Sequence, residues 1–428
     1  MAGRFSALRH RDFRLYWVGF VIAVSGQQMQ WMIEGWLIYQ LSGSAVLLGV
    51  NGIAQMIPSV ALTLFGGALA DKFDQRKLLI AMQLLFIVVL GALSVIGLTG
   101  GLTAWHVIAG GFALSAIGAF EGPARQAMFP HLVQREAMPS AVGLNAMIHP
   151  ATRVGSPVVG GLVSEFVFEA SDSASVAGGV VFAITVVAVA VYAALLWRVH
   201  LPPVVRSRGR NVLADMAAAL GYIRRERIFV FLIGTAYWNM AFGVALTVLF
   251  PIFAKDVLGV GPDGLGYMWG ATGIGSVAGV FIASSLTAPN QQRALLTSGA
   301  VTMGVFSIAF ALSEWYWASL GLLFAYGTGA SMVNVAVQTN LQMLVANEFR
   351  GRVMGIWSMV HTSVRPVGEL QFAGVAALAS APVAAIVGGV AVLVYTLGYL
   401  WRSKQAARLQ DLRAGSRMGE DDRSVAPG

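Results

Sequence analysis

The sequence predicts an all-α membrane protein in which twelve transmembrane helices form two pseudo-symmetric bundles of six. Three observations favour this fold. The 428 residues are 57% apolar and only 11% charged, apolar stretches of bilayer length recur along the chain, and its two halves share a repeat. A soluble domain is typically about 45–50% apolar and about 25% charged, so a single fold around one aqueous core is excluded.

The apolar stretches have the length and continuity of membrane helices. A bilayer core about 30 Å thick requires about 20 mostly apolar residues per helix, whereas barrel strands would alternate over about 10 residues. The expected spans are residues 15–39, 45–69, 77–98, 103–121, 139–167, 174–197, 228–253, 264–286, 293–313, 316–343, 353–379 and 382–401.

The basic residues predict the orientation. With the N-terminus in the cytoplasm, every Lys and Arg falls on the inner side except Lys255 outside and Arg153 and Arg365 within spans, as the positive-inside rule requires. Topology therefore explains the net charge of +8 without a nucleic-acid partner. We expect a multi-pass protein of the cytoplasmic (inner) membrane, with a retained first span and both termini in the cytoplasm.

A hydrophilic break near the middle of the chain divides it into domains. Residues 198–227 are expected to form a cytoplasmic linker, in which Leu213, Met216, Leu220 and Ile223 share one face of a helix lying on the inner leaflet. The expected domains are a cytoplasmic segment at 1–14, a six-helix bundle at 15–197, the linker, a second bundle at 228–401 and a cytoplasmic tail at 402–428.

The two halves carry an internal repeat. A shift of 212 residues places His149 on His361 and Arg153 on Arg365, together with other identities around them. Such self-similarity indicates a duplicated six-span unit. The fifth and eleventh spans are then copies of one another.

Glu34 lies in the first span on one helix face with Gln27 and Gln30. A charge within a lipid span costs about 2.5–3.5 kcal/mol and usually faces the bundle interior or a water-filled cavity. Glu34 can carry a proton, pair with an arginine, or lie exposed at the outer mouth. Glu369 follows Arg365 by four residues, so a pair within one helix makes it the poorer proton carrier.

Other polar residues of the spans are candidates for lining a substrate cavity. Arg153 and Arg365 lie near mid-span, where they can recognise a polar or anionic group of a bound compound, form ion pairs that switch, or act as structural locks. The further candidates also suit ordinary packing or inter-helix hydrogen bonds: His149, His361, Asn51, Gln55, Asn334 and Gln338.

The short turn after the second span contains an acid followed by three bases. Asp71 and Arg76 can pair with each other or with neighbouring helix ends, or the charges can merely fix topology. The residues of this turn that we single out are Gly67, Asp71, Lys72, Arg76 and Lys77.

This turn resembles the signature loop of the major facilitator superfamily, with Asp74 where many members have glycine. The chain is similar to the branch containing the enterobactin exporter and macrolide efflux pumps. The resemblance implies secondary transport by alternating access, usually outward, and makes Glu121 the acid that pairs with the loop as a cytoplasmic gate. The fifth span is similar to the antiporter motif of this superfamily, but Ser156 stands where that motif has a glycine before its proline. The stretches that carry the resemblance are WLIYQLSGSAVLLG (36–49), GGALADKFDQRK (66–77), FEGPARQAMFPHLV (120–133), FPIFAKDVLGVGPDGLG (250–266) and ANEFRGRVMGI (346–356).

The expected function is proton-coupled export of a small amphipathic compound, such as a drug or a siderophore-like metabolite. The alternatives are import or facilitated diffusion of a metabolite, and a non-transporting receptor with the same fold. The sequence contains no cysteine, no Walker A sequence and no convincing catalytic or metal-binding pattern, so we expect no enzyme, cofactor or metal. The expected partners are the substrate, protons and lipid, with a monomeric chain and no nucleic acid.

Overall fold

A computed structural model describes residues 6–200, 220–286, 288 and 291–400, and the side chains of 63–72, 347–348 and 399–400 are not part of this description. The expected inner-leaflet helix therefore lies largely outside the described residues, as does the tail at 402–428. The described segments are almost entirely helical. The main helices are α1 (Arg11–Ser42), α2 (Ala45–Lys72), α3 (Gln75–Leu98), α4 (Ala104–Met128), α5 (Met138–Ala146), α6 (Ile148–Ser171), α7 (Ala174–Trp197), α8 (Arg227–Trp238), α9 (Pro262–Ser285), α10 (Gln292–Ala311), α11 (Tyr316–Leu344), α12 (Asn347–Leu378) and α13 (Ala381–Tyr395).

The fifth and seventh expected spans are interrupted. The fifth is divided at Met147, three residues before Pro150, because proline has no N–H to bond to the carbonyl four residues earlier. After α8 the chain continues through π-helical turns at Asn239–Gly243 and Phe253–Val257, with a 3-10 segment at Val244–Leu249 between them. Tyr326 donates a hydrogen bond of 2.8 Å to the Gly243 carbonyl, which gives this acceptor a partner outside the regular helix ladder.

Nine helical segments of the described chain are long and apolar enough to cross a membrane. The other three expected spans lie in α1, α6 and α12. These helices carry the polar and charged residues that the sequence singles out, including Glu34, Arg153 and Arg365. Their lower apolarity indicates helices that face other protein segments or water along part of their surface.

One compact unit comprises Met1–Arg210 together with Phe250–Gly270. Small residues bring its helices close together, as is typical of helix packing in membranes. Gly19 of α1 lies against Tyr192 of α7, and the backbones of Gly97 and Gly179 touch where α3 meets α7. Added Cβ atoms at the last two positions would collide with backbone.

The other compact unit comprises Asn211–Leu249 together with Ala271–Gly428. Gly299 and Gly329 bring α10 against α11, and Gly304 and Gly389 bring α10 against α13. The same packing rule thus operates in both units. The contacts group residues 250–270 with the N-terminal part of the chain. The expected domain limits of 15–197 and 228–401 remain predictions.

Candidate functional site

Glu34 lies at the centre of a buried polar group in the first unit. Only 2% of the residue is exposed. Gln30, one turn earlier in α1, donates from Nε2 to Glu34 Oε1 at 2.8 Å, and Gln55 of α2 donates from Nε2 to Oε2 at 3.3 Å. The ion pairs found among the described residues do not include Glu34. Neutral amides therefore satisfy this carboxyl group.

Helix α4 contacts both the backbone and the side chain of Gln55. Ser115 donates from Oγ to the Gln55 carbonyl at 2.6 Å, and Gly111 lies against the side-chain ends of Gln55 and Asn51. The Oδ1 atom of Asn51 is buried and has no hydrogen-bond partner. The sequence analysis missed Gly111 and Ser115, since a glycine in a lipid span is usually a helix contact. We define the Glu34 site by the residues Gln30, Glu34, Asn51, Gln55, Gly111 and Ser115.

The chemistry of the Glu34 site follows from the neutral character of its described partners, which are amides. Burying an ionised carboxylate without a charged partner costs far more than burying a neutral acid. The amide donors can stabilise the carboxylate, while a bound proton removes its charge. The arrangement can therefore accept either a proton or the cationic group of a ligand.

His149 and Glu121 lie in a second cluster, around Phe20. The His149 ring centroid lies 5.9 Å from that of Phe20, and the Arg125 guanidinium lies 4.2 Å from the Phe20 centroid. Glu121 is 8% exposed, and the cation that acts on it is Arg125, one turn later in α4. The sequence analysis did not single out Arg125. Gln27 is partly buried on α1.

The turn between α2 and α3 is described only in part. Gly67, Asp71 and Lys72 are described only as part of α2, without side-chain contacts. Arg76 donates from Nε to the Leu196 carbonyl at 3.0 Å and also to the Trp197 carbonyl, at the C-terminal end of α7. The Lys77 N–H donates to Asp74 Oδ1 at 3.0 Å, so Asp74 caps the N-terminus of α3.

Residues 250–270 make close contacts with α1 and α6 within the first unit. Tyr39 donates a hydrogen bond to the Asp256 carboxylate, and Lys255 lies over the Tyr39 ring. The Arg153 guanidinium lies 5.9 Å from the centroid of Trp269. Sequence reasoning did not identify Tyr39, Asp256 or Trp269 as a contact set, because their separation along the chain hides it.

Glycines bring α6 and α9 into direct backbone contact beside this set. A Cβ atom at Gly161 would lie 2.5 Å from the Pro262 carbonyl oxygen, and one at Gly266 would lie 2.6 Å from the Pro157 carbonyl oxygen. Real Cβ atoms do not approach backbone this closely. The contact between α6 and α9 thus depends on glycine at both positions.

The second unit contains Glu369, the acid that follows Arg365 by one turn of α12. Arg365 Nε lies 2.8 Å from Glu369 Oε1, and Arg365 Nη2 donates to Thr247 Oγ1 at 3.4 Å. The same-helix pair that the sequence spacing allows is formed. Glu369 therefore serves as the counter-ion of an arginine, in contrast to Glu34.

The polar residues of α11 and α12 meet at His361. Asn334 Nδ2 lies 3.4 Å from His361 Nε2, and the ring centroids of Trp357 and His361 are 4.2 Å apart. Gln338 is partly buried one turn beyond Asn334. The histidines that the repeat superposes, His149 and His361, thus have different neighbours.

Most of the chain matches known proteins. A family model described as transmembrane secretion effector matches residues 2–423. The chain is similar to macrolide efflux protein A of Streptococcus pyogenes, with 24% identity over 372 residues that cover 83% of this chain and 87% of that protein. It is also similar to the multidrug efflux pump Tap of Mycolicibacterium fortuitum, with 26% identity over 349 residues that cover 78% and 81%.

Solved transporter structures have the same fold. A bacterial homologue of the human lysosomal transporter Spinster matches with a TM-score of 0.71 at 12% identity, covering 94% of this chain and 97% of that one. A bacterial homologue of the iron transporter ferroportin matches with a TM-score of 0.63 at 17% identity, covering 91% and 99%. These likenesses confirm the fold class expected from the sequence.

Proposed function

Because the chain belongs to the transmembrane secretion effector family of the major facilitator superfamily, and is thus a transporter and not an enzyme, we propose that it exports a small amphipathic compound in exchange for protons. The membrane it crosses is the cytoplasmic (inner) membrane, with both termini in the cytoplasm. The efflux activity in the names of its relatives supports outward transport of a drug-like cargo.

The observation that carries the proton-coupled part of the proposal is the environment of Glu34. Its carboxyl group is almost completely buried and is held by the amides of Gln30 and Gln55. A buried group without a cationic partner changes its electrostatic free energy greatly when it binds a proton. Protonation of Glu34 is therefore an effective signal for changing the state of the protein.

Alternating access gives this signal its effect. The contacts of residues 250–270 with α1 and α6, including Tyr39 to Asp256, close one state in the proposed cycle and break in the other. A proton shifts the balance between the states only if it binds Glu34 with different affinity in each. Cargo and proton then affect each other's binding, because both act on the equilibrium between the two states of the cycle.

Two alternatives keep the fold and change the activity. An importer or facilitator would move cargo inward, and a receptor would bind a ligand without moving it. The solved structures share too little identity to favour a direction, so they support the fold alone. The efflux proteins among the relatives favour export over both alternatives.

The test is a cargo screen followed by flux in a defined system. A strain lacking its own pumps, expressing the chain, is screened for resistance to macrolides and other amphipathic drugs. A compound that scores is then followed in proteoliposomes, with internal and external pH set independently. Proton-coupled export predicts that the cargo accumulates against its gradient only when protons flow down their own gradient in the opposite direction. Accumulation without a proton gradient, or in the direction of proton flow, contradicts antiport, and lack of flux for every compound favours the receptor.

A further inference from the structure

We infer that Gly111 of α4 is a positioning residue for the Glu34 site: the absence of a side chain there lets Gln55 place its amide on the Glu34 carboxyl group. The inference rests on the proposed function, because it assigns Gly111 a part in proton binding at Glu34. Gly111 itself does not contact Glu34 through a side chain. It acts on Glu34 through Gln55.

The side-chain ends of Asn51 and Gln55 lie next to the Cα atom of Gly111. A Cβ atom at Gly111 would lie 2.9 Å from Gln55 Nε2 and 3.2 Å from Asn51 Oδ1. The same Nε2 atom donates to Glu34 Oε2 at 3.3 Å. A methyl group at position 111 would therefore occupy space beside the very atom that donates the hydrogen bond.

Displacement of Gln55 is the easiest way to relieve this crowding. The atom that the methyl group would approach is the far end of a flexible side chain, whereas the Gln55 backbone is held by Ser115. The amide can change rotamer without moving α2 or α4. Gly111→Ala is thus expected to leave the fold intact and to remove the donor from Glu34.

Another glycine of α4 provides a matched control. Gly118 lies two turns after Gly111, and an added Cβ atom there would have no atom within 4 Å. Alanine raises helix propensity equally at both positions. Any difference between Gly111→Ala and Gly118→Ala therefore reports the contact with Gln55 and not the loss of a glycine.

Loss of the Gln55 donor changes the proton equilibrium at Glu34. A hydrogen bond donated to a carboxylate acts on the ionised and the neutral form differently, so its removal changes the pH at which Glu34 binds its proton. Ionisable side chains on the segments packed against α1 include Glu121 and Arg125 of α4, His149, Arg153, Glu165 and Glu169 of α6, Tyr192 of α7, and Lys255 and Asp256 of the segment 250–270. Described contacts join Arg125 and His149 to Phe20, Arg153 to Trp269, and Lys255 and Asp256 to Tyr39. Gln30 and Gln55 remain the direct donors to Glu34.

The experiment follows the Glu34 carboxylic acid band by difference infrared spectroscopy of the purified full-length protein across pH. The band is assigned by its loss in Glu34→Gln. We expect its midpoint to move by about one pH unit in Gly111→Ala, and to stay unchanged in Gly118→Ala. Gln55→Leu should give the same shift, and Gly111→Ala should add nothing in the Gln55→Leu background.

The outcomes separate the inference from the proposed function. The positioning role is overturned if the midpoint is unchanged in Gly111→Ala. It is also overturned if Gly111→Ala shifts the midpoint by the same amount in the Gln55→Leu background as in the parent. Both results leave proton binding at Glu34 intact. Absence of any band that depends on Glu34 overturns the proposed proton role, and the inference with it. A thermal unfolding curve of each variant identifies loss of fold, and a Gly111→Ala protein that fails to fold contradicts the expected rotamer change.

Discussion

Arg365 and Glu369 form an ion pair across one turn of α12, with 2.8 Å between Nε and Oε1. Glu34, the acid of the first expected span, is held by two amides. The same residue type therefore has two electrostatic environments in one chain. We assign Glu369 a structural role as counter-ion and Glu34 the proposed role in proton binding.

Glu369→Gln is expected to destabilise the protein by about 1–3 kcal/mol, because Arg365 loses a charged hydrogen-bond partner in a partly buried position. Thermal unfolding in detergent measures this loss. The double variant Arg365→Met with Glu369→Gln removes both charges and should recover part of the stability. Equal stability of Glu369→Gln and the parent would show that the pair contributes nothing.

Arg76→Ala is expected to destabilise the C-terminal end of α7. Arg76 donates to the carbonyls of Leu196 and Trp197, and a cation at a helix C-terminus contributes about 0.3–2 kcal/mol. Lys77→Ala is the neighbouring control, since the described bond of Lys77 comes from its backbone. Unfolding temperatures of the two variants test this, and a loss in Lys77→Ala as large as that in Arg76→Ala would argue against a specific cap.

Gly161→Ala is expected to separate α6 from the start of α9, because its Cβ atom would lie 2.5 Å from a backbone oxygen. The chain has no cysteine, so Val158→Cys, beside Gly270 in this contact, introduces a single thiol. Its reaction with a maleimide should become several-fold faster when Gly161→Ala is added. Gly155→Ala lies on the same helix with open space around it and should leave the rate unchanged.

The sequence was sufficient for features that depend on local spacing. Gln30 and Glu34 share a helix face, as do Arg365 and Glu369, so their contacts follow from positions four residues apart. The apolar stretches likewise predicted where most of the long helices lie. The interruption near Met147 was missed, although Pro150 provides its signal, because the apolar pattern continues across it.

Contacts between helices could not be predicted from one sequence. Gln55 reaches Glu34 only because α2 and α1 have a particular register, and Gly111 lies against Gln55 only because α4 packs against α2. Tyr39 and Asp256 are 217 residues apart, and local spacing gives no information at that distance. Arg76 lies in the first turn of α3, and its carbonyl partners belong to the end of α7, far away along the chain.

The most direct test of the account is the Glu34→Gln protein in proteoliposomes, with cargo movement and proton movement recorded in the same sample. Glutamine preserves the shape of the side chain but cannot take up a proton at neutral pH. We expect Glu34→Gln to lose proton movement and uphill cargo transport while Glu369→Gln retains a measurable proton signal. Undiminished coupled transport in Glu34→Gln would contradict the central role of Glu34.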